Sequence, residues 1–141
     1  MTFEKQFVET KLNEFRSYVQ ELENLLKLGD DVILKDLDKL RHLERAFQLA
    51  VDIMIDINQH FINELKFPVS DDFQSTFYIL GDNNILPKEF ADHVAPIAGI
   101  RNRIVHGYET LNRRQFLKDL RASFDDFKKY IKFISERNVK E

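Results

Sequence analysis

The sequence predicts an all-α protein: an up-and-down bundle of four long helices with one additional short helix. Three observations predict it. Apolar residues recur at separations of three, four and seven through most of the 141 residues, the period of a helix with one buried face. The 4 Gly and 3 Pro are too few for a turn-rich β fold. The connections between periodic segments are short, which makes sequential helices antiparallel neighbours.

The first helix is predicted over residues 2–28, where Phe3, Phe7, Phe15, Tyr18, Leu22 and Leu25 form one stripe. Gly29 supplies its C-cap, and Asp30-Asp31 starts the next element. A long second helix is expected over 31–66 on Leu37, Leu40, Phe47, Met54, Ile57, Phe61 and Leu65. Pro68 stops it. Ser70-Asp71-Asp72 caps a short third helix at 72–80. Pro87 suits the first position of a fourth helix with Phe90, Val94, Ile97, Ile104 and Val105 on its apolar face. Pro96 lies inside that pattern, so a kink or break is expected near Ala95, and Gly107 ends the helix. The fifth runs over 113–136 with Phe116, Leu120, Phe124, Phe127, Ile131 and Ile134. Neither a repeat nor a dividing linker is evident, so 1–141 read as one domain.

Composition narrows the function. The absence of Cys excludes a disulfide framework, a thiolate zinc site and a cysteine nucleophile. Apolar runs are too short to span a bilayer, and MTFEKQFVETK lacks the hydrophobic core of a signal peptide. The expectation is a soluble, cytoplasmic protein with no membrane contact. A net charge of −3 means that nucleic-acid binding requires a local patch. His42, His60 and His93 lack metal-ligand spacing. Asp56 and His60, four apart, fit a polar pair better than a metal site, so no metal and no cofactor are expected. No Ser sits in a strand–turn–helix elbow.

The fourth helix carries the anomaly, in Arg101-Asn102-Arg103-Ile104-Val105-His106-Gly107-Tyr108. With Phe90 at zero and about 100° per residue, Arg101 falls near 20°, in the middle of the apolar face. A buried guanidinium needs an acidic partner, a phosphate or a polar interface. It could instead snorkel outward, or pair with an internal carboxylate such as Asp52 or Asp56. His106 and Asn102 lie one turn apart on a neighbouring flank. The combination suits phosphate chemistry: Arg offers planar donors, and His moves protons near neutral pH.

Arg101-Asn102 followed by His106 is an Arg-x4-His element, which resembles the signature of the HEPN superfamily. With Gly107-Tyr108 following, RNRIVHGY resembles the Arg-Asn-x3-His-x-Tyr motif of HepT-like toxins, the toxin halves of HepT/MntA toxin–antitoxin pairs. The segments RAFQLAVDIMIDINQHFI, DDFQSTFYIL and NNILP resemble that family's layout, and the resemblance extends over residues 3–135.

The resemblance implies a homodimer whose paired fourth helices bring both motifs into one cleft for metal-independent RNA cleavage. It assigns Arg101 to charge on the scissile phosphate and His106 to general acid or base work during 2′-hydroxyl attack. Asn102 would orient phosphate or imidazole. It also implies that Tyr108 accepts AMP from a MntA-like nucleotidyltransferase antitoxin, which would block the cleft. From the residues alone, Tyr108 reads rather as a core or interface aromatic with its hydroxyl at the rim; the resemblance reverses that preference.

Between Arg101 and Arg121, six basic residues stand against two acidic ones. Arg103, Arg113 and Arg114 are therefore candidate RNA-phosphate contacts; the same charges could form a solvated face or dock an acidic antitoxin. The competing reading is a non-catalytic nucleotide-binding or docking partner of a nucleotidyltransferase. A bundle in which Arg101 only fixes dimer register also remains open.

Overall fold

The computed structural model describes residues 4–107 and 111–140. They fold into seven helices: α1 (Lys5–Leu26), α2 (Asp30–Lys35), α3 (Leu37–Glu64), α4 (Phe73–Asp82), α5 (Lys88–Val94), α6 (Ile97–His106) and α7 (Arg113–Lys140). The described residues contain no strand. The all-α bundle is therefore the observed architecture, with α1, α3, the α5–α6 pair and α7 as its long members. No helix among the described residues is long and apolar enough to cross a membrane.

Two departures from the expected elements have local causes. The segment expected as one helix over 31–66 is divided at Asp36, whose backbone is extended (φ −107°, ψ 100°). Its carboxylate accepts from the N–H groups of Asp38 and Lys39 at 3.1 and 3.3 Å, capping α3. Gly29, expected as a C-cap, instead stands extended at the N-terminus of α2 (φ −71°, ψ 157°). The break near Ala95 appears where Pro96 requires it: α5 ends at Val94 and α6 begins at Ile97.

Two helices end on left-handed residues that are not glycine, Lys66 (φ 59°) and Asn84 (φ 60°). In each case the next amide reaches back five residues, Phe67 to the Ile62 carbonyl and Ile85 to the Leu80 carbonyl, both at 2.9 Å. This is the Schellman closure, which satisfies carbonyls that the helix end would otherwise orphan.

α1 and α3 run antiparallel, with His42 Nε2 2.9 Å from Glu21 at one end and the Phe7 ring stacked on His60 at the other. Burial at that contact disfavours the charged imidazole and lowers the pKa of His60, against the pull of Glu64 and Glu4. α7 closes the bundle antiparallel to α1, from Arg121 beside Leu26 to Asn138 beside Lys5. The core is aromatic: Phe15, Phe47, Phe127 and Tyr130 meet edge-to-face across α1, α3 and α7.

A buried polar chain crosses this core. The Tyr130 hydroxyl donates to Asn58 Oδ1 at 2.6 Å, and Asn58 Nδ2 donates to Thr76 Oγ1 at 3.1 Å. The Thr76 hydroxyl donates to the Phe73 carbonyl at 2.6 Å. All three side chains belong to fully buried residues, so each bond satisfies a group that water cannot reach. Burial pushes the Tyr130 phenol well above its ordinary value, which keeps the donor protonated.

α4 and α5 cross at Gly81, where an added Cβ would lie 2.7 Å from Ala91 Cβ. Neither methyl could rotate away, so the helices would have to separate. Gly81→Ala is expected to cost about 1–3 kcal/mol of stability, read as a lower denaturant midpoint. Adding Ala91→Gly should recover part of the loss, whereas an unchanged midpoint in the single variant would show that the crossing is not close-packed.

Candidate active site on α6

Pro96 interrupts the fourth helical pattern, and α6 begins just after it, tightened by Gly99 N–H to the Pro96 carbonyl at 3.0 Å. Ile97, Ala98 and Ile104 bury one face of α6. Arg101 lies within that face, its side chain 14% exposed. Asn102, Arg103 and His106 are exposed, and the helix closes with Gly107 N–H on the Arg103 carbonyl at 3.0 Å.

Of the alternatives for Arg101, the structure shows the internal carboxylate. Its Nε donates to Asp52 Oδ1 of α3 at 2.6 Å, a short, charge-assisted bond. One Nη1 hydrogen goes to Asn102 Oδ1 at 3.2 Å. The guanidinium carbon stands 5.2 Å from the centroid of the Phe73 ring, at the start of α4, within cation–π range. A guanidinium carries five N–H donors. Two are engaged by these described residues, and the Nη1/Nη2 end remains for an incoming anion. Asp56, the other carboxylate considered, pairs with Lys11 at 3.3 Å.

Arg101 and Asn102 are thus in contact, and His106 lies one turn beyond Asn102 on the same exposed flank. Tyr108 lies outside the described residues. Phe73 is the neighbour that sequence reasoning did not find. A Phe just after a helix cap reads as core, and nothing local indicates that it underlies an arginine.

The basic stretch is more internally engaged than its composition suggests. Arg113 Nε donates to Glu44 Oε2 at 3.2 Å, and Glu44 is only 4% exposed. Burial raises the Glu44 pKa, against the pull of Arg113 and Arg41. Arg114 reaches Asp31 at 3.5 Å. Arg121 donates to Asp30 at 2.7 Å and to the Leu26 and Leu28 carbonyls at 2.9 and 2.7 Å. These contacts tie the start of α7 to α3 and to the α1–α2 turn. Arg103 and Lys118 are exposed, and neither has a carboxylate within ion-pair distance among the described residues. α6 thus carries one held guanidinium, at Arg101, and one exposed imidazole, at His106; a guanidinium can bind a phosphate and an imidazole can move a proton near neutral pH.

A family model described as ribonuclease HepT-like matches residues 15–134. A relative from Aphanizomenon flos-aquae, a tRNA nuclease HepT, is 30% identical over 128 residues, covering 91% of this chain and 87% of its own. A second from Shewanella oneidensis, an mRNA nuclease HepT, is 29% identical over 107 residues, covering 76% of this chain and 72% of its own. Among solved structures, a tri-AMPylated Shewanella oneidensis HEPN toxin in complex with an MNT antitoxin superposes with a TM-score of 0.82. That pair shares 19% identity and covers 92% of this chain and 96% of that one. The Bacillus subtilis cytosolic protein YutE gives the same TM-score at 16% identity, covering 96% and 92%. The match over residues 15–134 shows that the chain belongs to the HepT-like ribonuclease family, a family of RNA-cleaving enzymes.

Proposed function

We propose that this chain, as a single cytoplasmic domain, is the toxin of a toxin–antitoxin pair and cleaves RNA without a metal ion. Arg101 binds the scissile phosphate through its Nη1/Nη2 end. His106 serves as general acid or base. The RNA 2′-hydroxyl loses its proton and attacks phosphorus; the O2′–P bond forms, the P–O5′ bond breaks, and the O5′ leaving group takes up a proton. Asn102 orients the guanidinium through its Oδ1. Two copies facing each other across α6 would put both motifs in one cleft, which explains why the site lies on an open face. The observation that carries this reading is the Arg101 guanidinium, held between Asp52 and Phe73 on the helix that presents His106.

Among the proposed RNA contacts, exposed Arg103 is the best supported. Arg113 and Arg114 contribute field rather than direct contacts while they hold Glu44 and Asp31. That internal pairing is also what favours the second reading, a non-catalytic docking partner of a nucleotidyltransferase. Purified wild type with an intact fold and no action on RNA would favour it.

The proposed antitoxin is a MntA-like nucleotidyltransferase. In its reaction the Tyr108 hydroxyl attacks the α-phosphorus of ATP, AMP is transferred and pyrophosphate leaves. Added phosphate beside Arg101 and His106 would repel and exclude RNA. Coexpression with such an enzyme should add units of AMP to the Tyr108 peptide, read by mass spectrometry, with RNA cleavage falling in parallel. Modification confined to another peptide would remove Tyr108 from this role.

A further inference from the structure

We infer that Asp52 and Phe73 are positioning residues that hold the Arg101 guanidinium in a fixed pose, with its Nη1/Nη2 end turned to the phosphate. The inference rests on the proposed role of Arg101. An arginine side chain has many rotamers, and fixing it costs conformational entropy. Here that ordering is built into the fold.

Two routes from the single helix α3 converge on the one guanidinium. The first is direct: Asp52 Oδ1 accepts from Nε at 2.6 Å. The second passes through the core. Six residues along α3, Asn58 donates to Thr76 of α4 and accepts from Tyr130 of α7. Thr76 donates to the Phe73 carbonyl at 2.6 Å, and Asp72 caps the same turn by accepting from Ser75 N–H at 2.7 Å. The start of α4 is therefore pinned from both sides, and with it the Phe73 ring under Arg101 at 5.2 Å. Asp52 holds the guanidinium at Nε, and Phe73 lies beneath it.

The clamp also shapes the energetics of the site. The Asp52 carboxylate offsets part of the Arg101 charge and so weakens ground-state attraction for RNA. What it supplies is orientation, realised when charge builds on the phosphate. Loss of the clamp should therefore appear in kcat, while KM stays level or falls. A packing defect has no reason to produce that split.

The test combines a spectroscopic and a kinetic measurement on full-length protein. In the wild type, the Arg101 Nε–H resonance, assigned by its loss in Arg101→Lys, should be shifted downfield and protected from exchange. Asp52→Asn should move it upfield, and Phe73→Leu should change its ring-current shift. On RNA, Asp52→Asn and Phe73→Leu should each lower kcat by about 100-fold, the scale of a small misplacement, with KM unchanged or lower. Phe73→Trp, which keeps an aromatic face, should restore most of the activity lost in Phe73→Leu. An Arg101 resonance that neither variant shifts would overturn the inference, as would variants that raise KM at unchanged kcat. If the wild type does not act on RNA, the resonance still decides the clamp, and the failure belongs to the proposed function instead.

Discussion

Replacing His106 by alanine is expected to lower kcat for RNA cleavage by about 10²- to 10⁴-fold, the usual contribution of a positioned acid or base. The fold should not change. His106 is exposed at the last turn of α6, and surface substitutions of this kind usually move stability by less than about 0.5 kcal/mol. The loss should fall on kcat and kcat/KM alike, because the proposed acid–base role is exercised in the transition state rather than in holding RNA. Steady-state kinetics with a short labelled RNA, beside a thermal melt of the same preparation, separates the two effects. An equal loss in activity and melting temperature would assign His106 to structure.

The largest stability effect is expected at Phe127. Its ring lies 5.7 Å from Phe15, 6.1 Å from Phe47 and 6.1 Å from Phe124, so one side chain joins α1, α3 and α7. It is fully buried. Phe127→Ala removes its transfer energy and three edge-to-face contacts, and leaves a cavity that three helices cannot readily close. A cost of about 3–5 kcal/mol is expected, a large part of the 5–15 kcal/mol that typically holds a domain folded. Urea denaturation should show a much lower midpoint, and Phe127→Leu a smaller loss. A loss under about 1 kcal/mol in Phe127→Ala would mean that the core relaxes around the gap.

Much of the fold was legible because apolar period and punctuation agreed. Pro96 announced the α5–α6 break, and Asp72 announced the start of α4. The break at Asp36 was hidden because Ile33, Leu37 and Leu40 continue a helical period straight through it. Only the capping geometry of the Asp36 carboxylate reveals the division. The left-handed turn at Lys66 was hidden because Lys has no intrinsic preference for that conformation; the Phe67–Ile62 bond selects it.

The site divides in the same way. Arg101, Asn102 and His106 were legible from local spacing, and Asp52 was among the carboxylates an apolar-face arginine could seek. Phe73 was not, because its contact with Arg101 spans two helices and its residue type signals core. The basic stretch misled for a related reason. Glu44 lies 69 positions from Arg113, and the carbonyls that hold Arg121 lie 95 and 93 positions away, beyond any local charge count.

Metal-independent cleavage by 2′-hydroxyl attack, as proposed for Arg101 and His106, fixes the chemistry of the RNA ends it leaves. The most direct measurement is the chemistry of the RNA ends produced by the wild-type protein in excess EDTA. The expected products carry 2′,3′-cyclic phosphate and 5′-hydroxyl ends and are absent with Arg101→Ala and with His106→Ala. Products ending in 3′-hydroxyl and 5′-phosphate, or cleavage that EDTA abolishes, would contradict that chemistry.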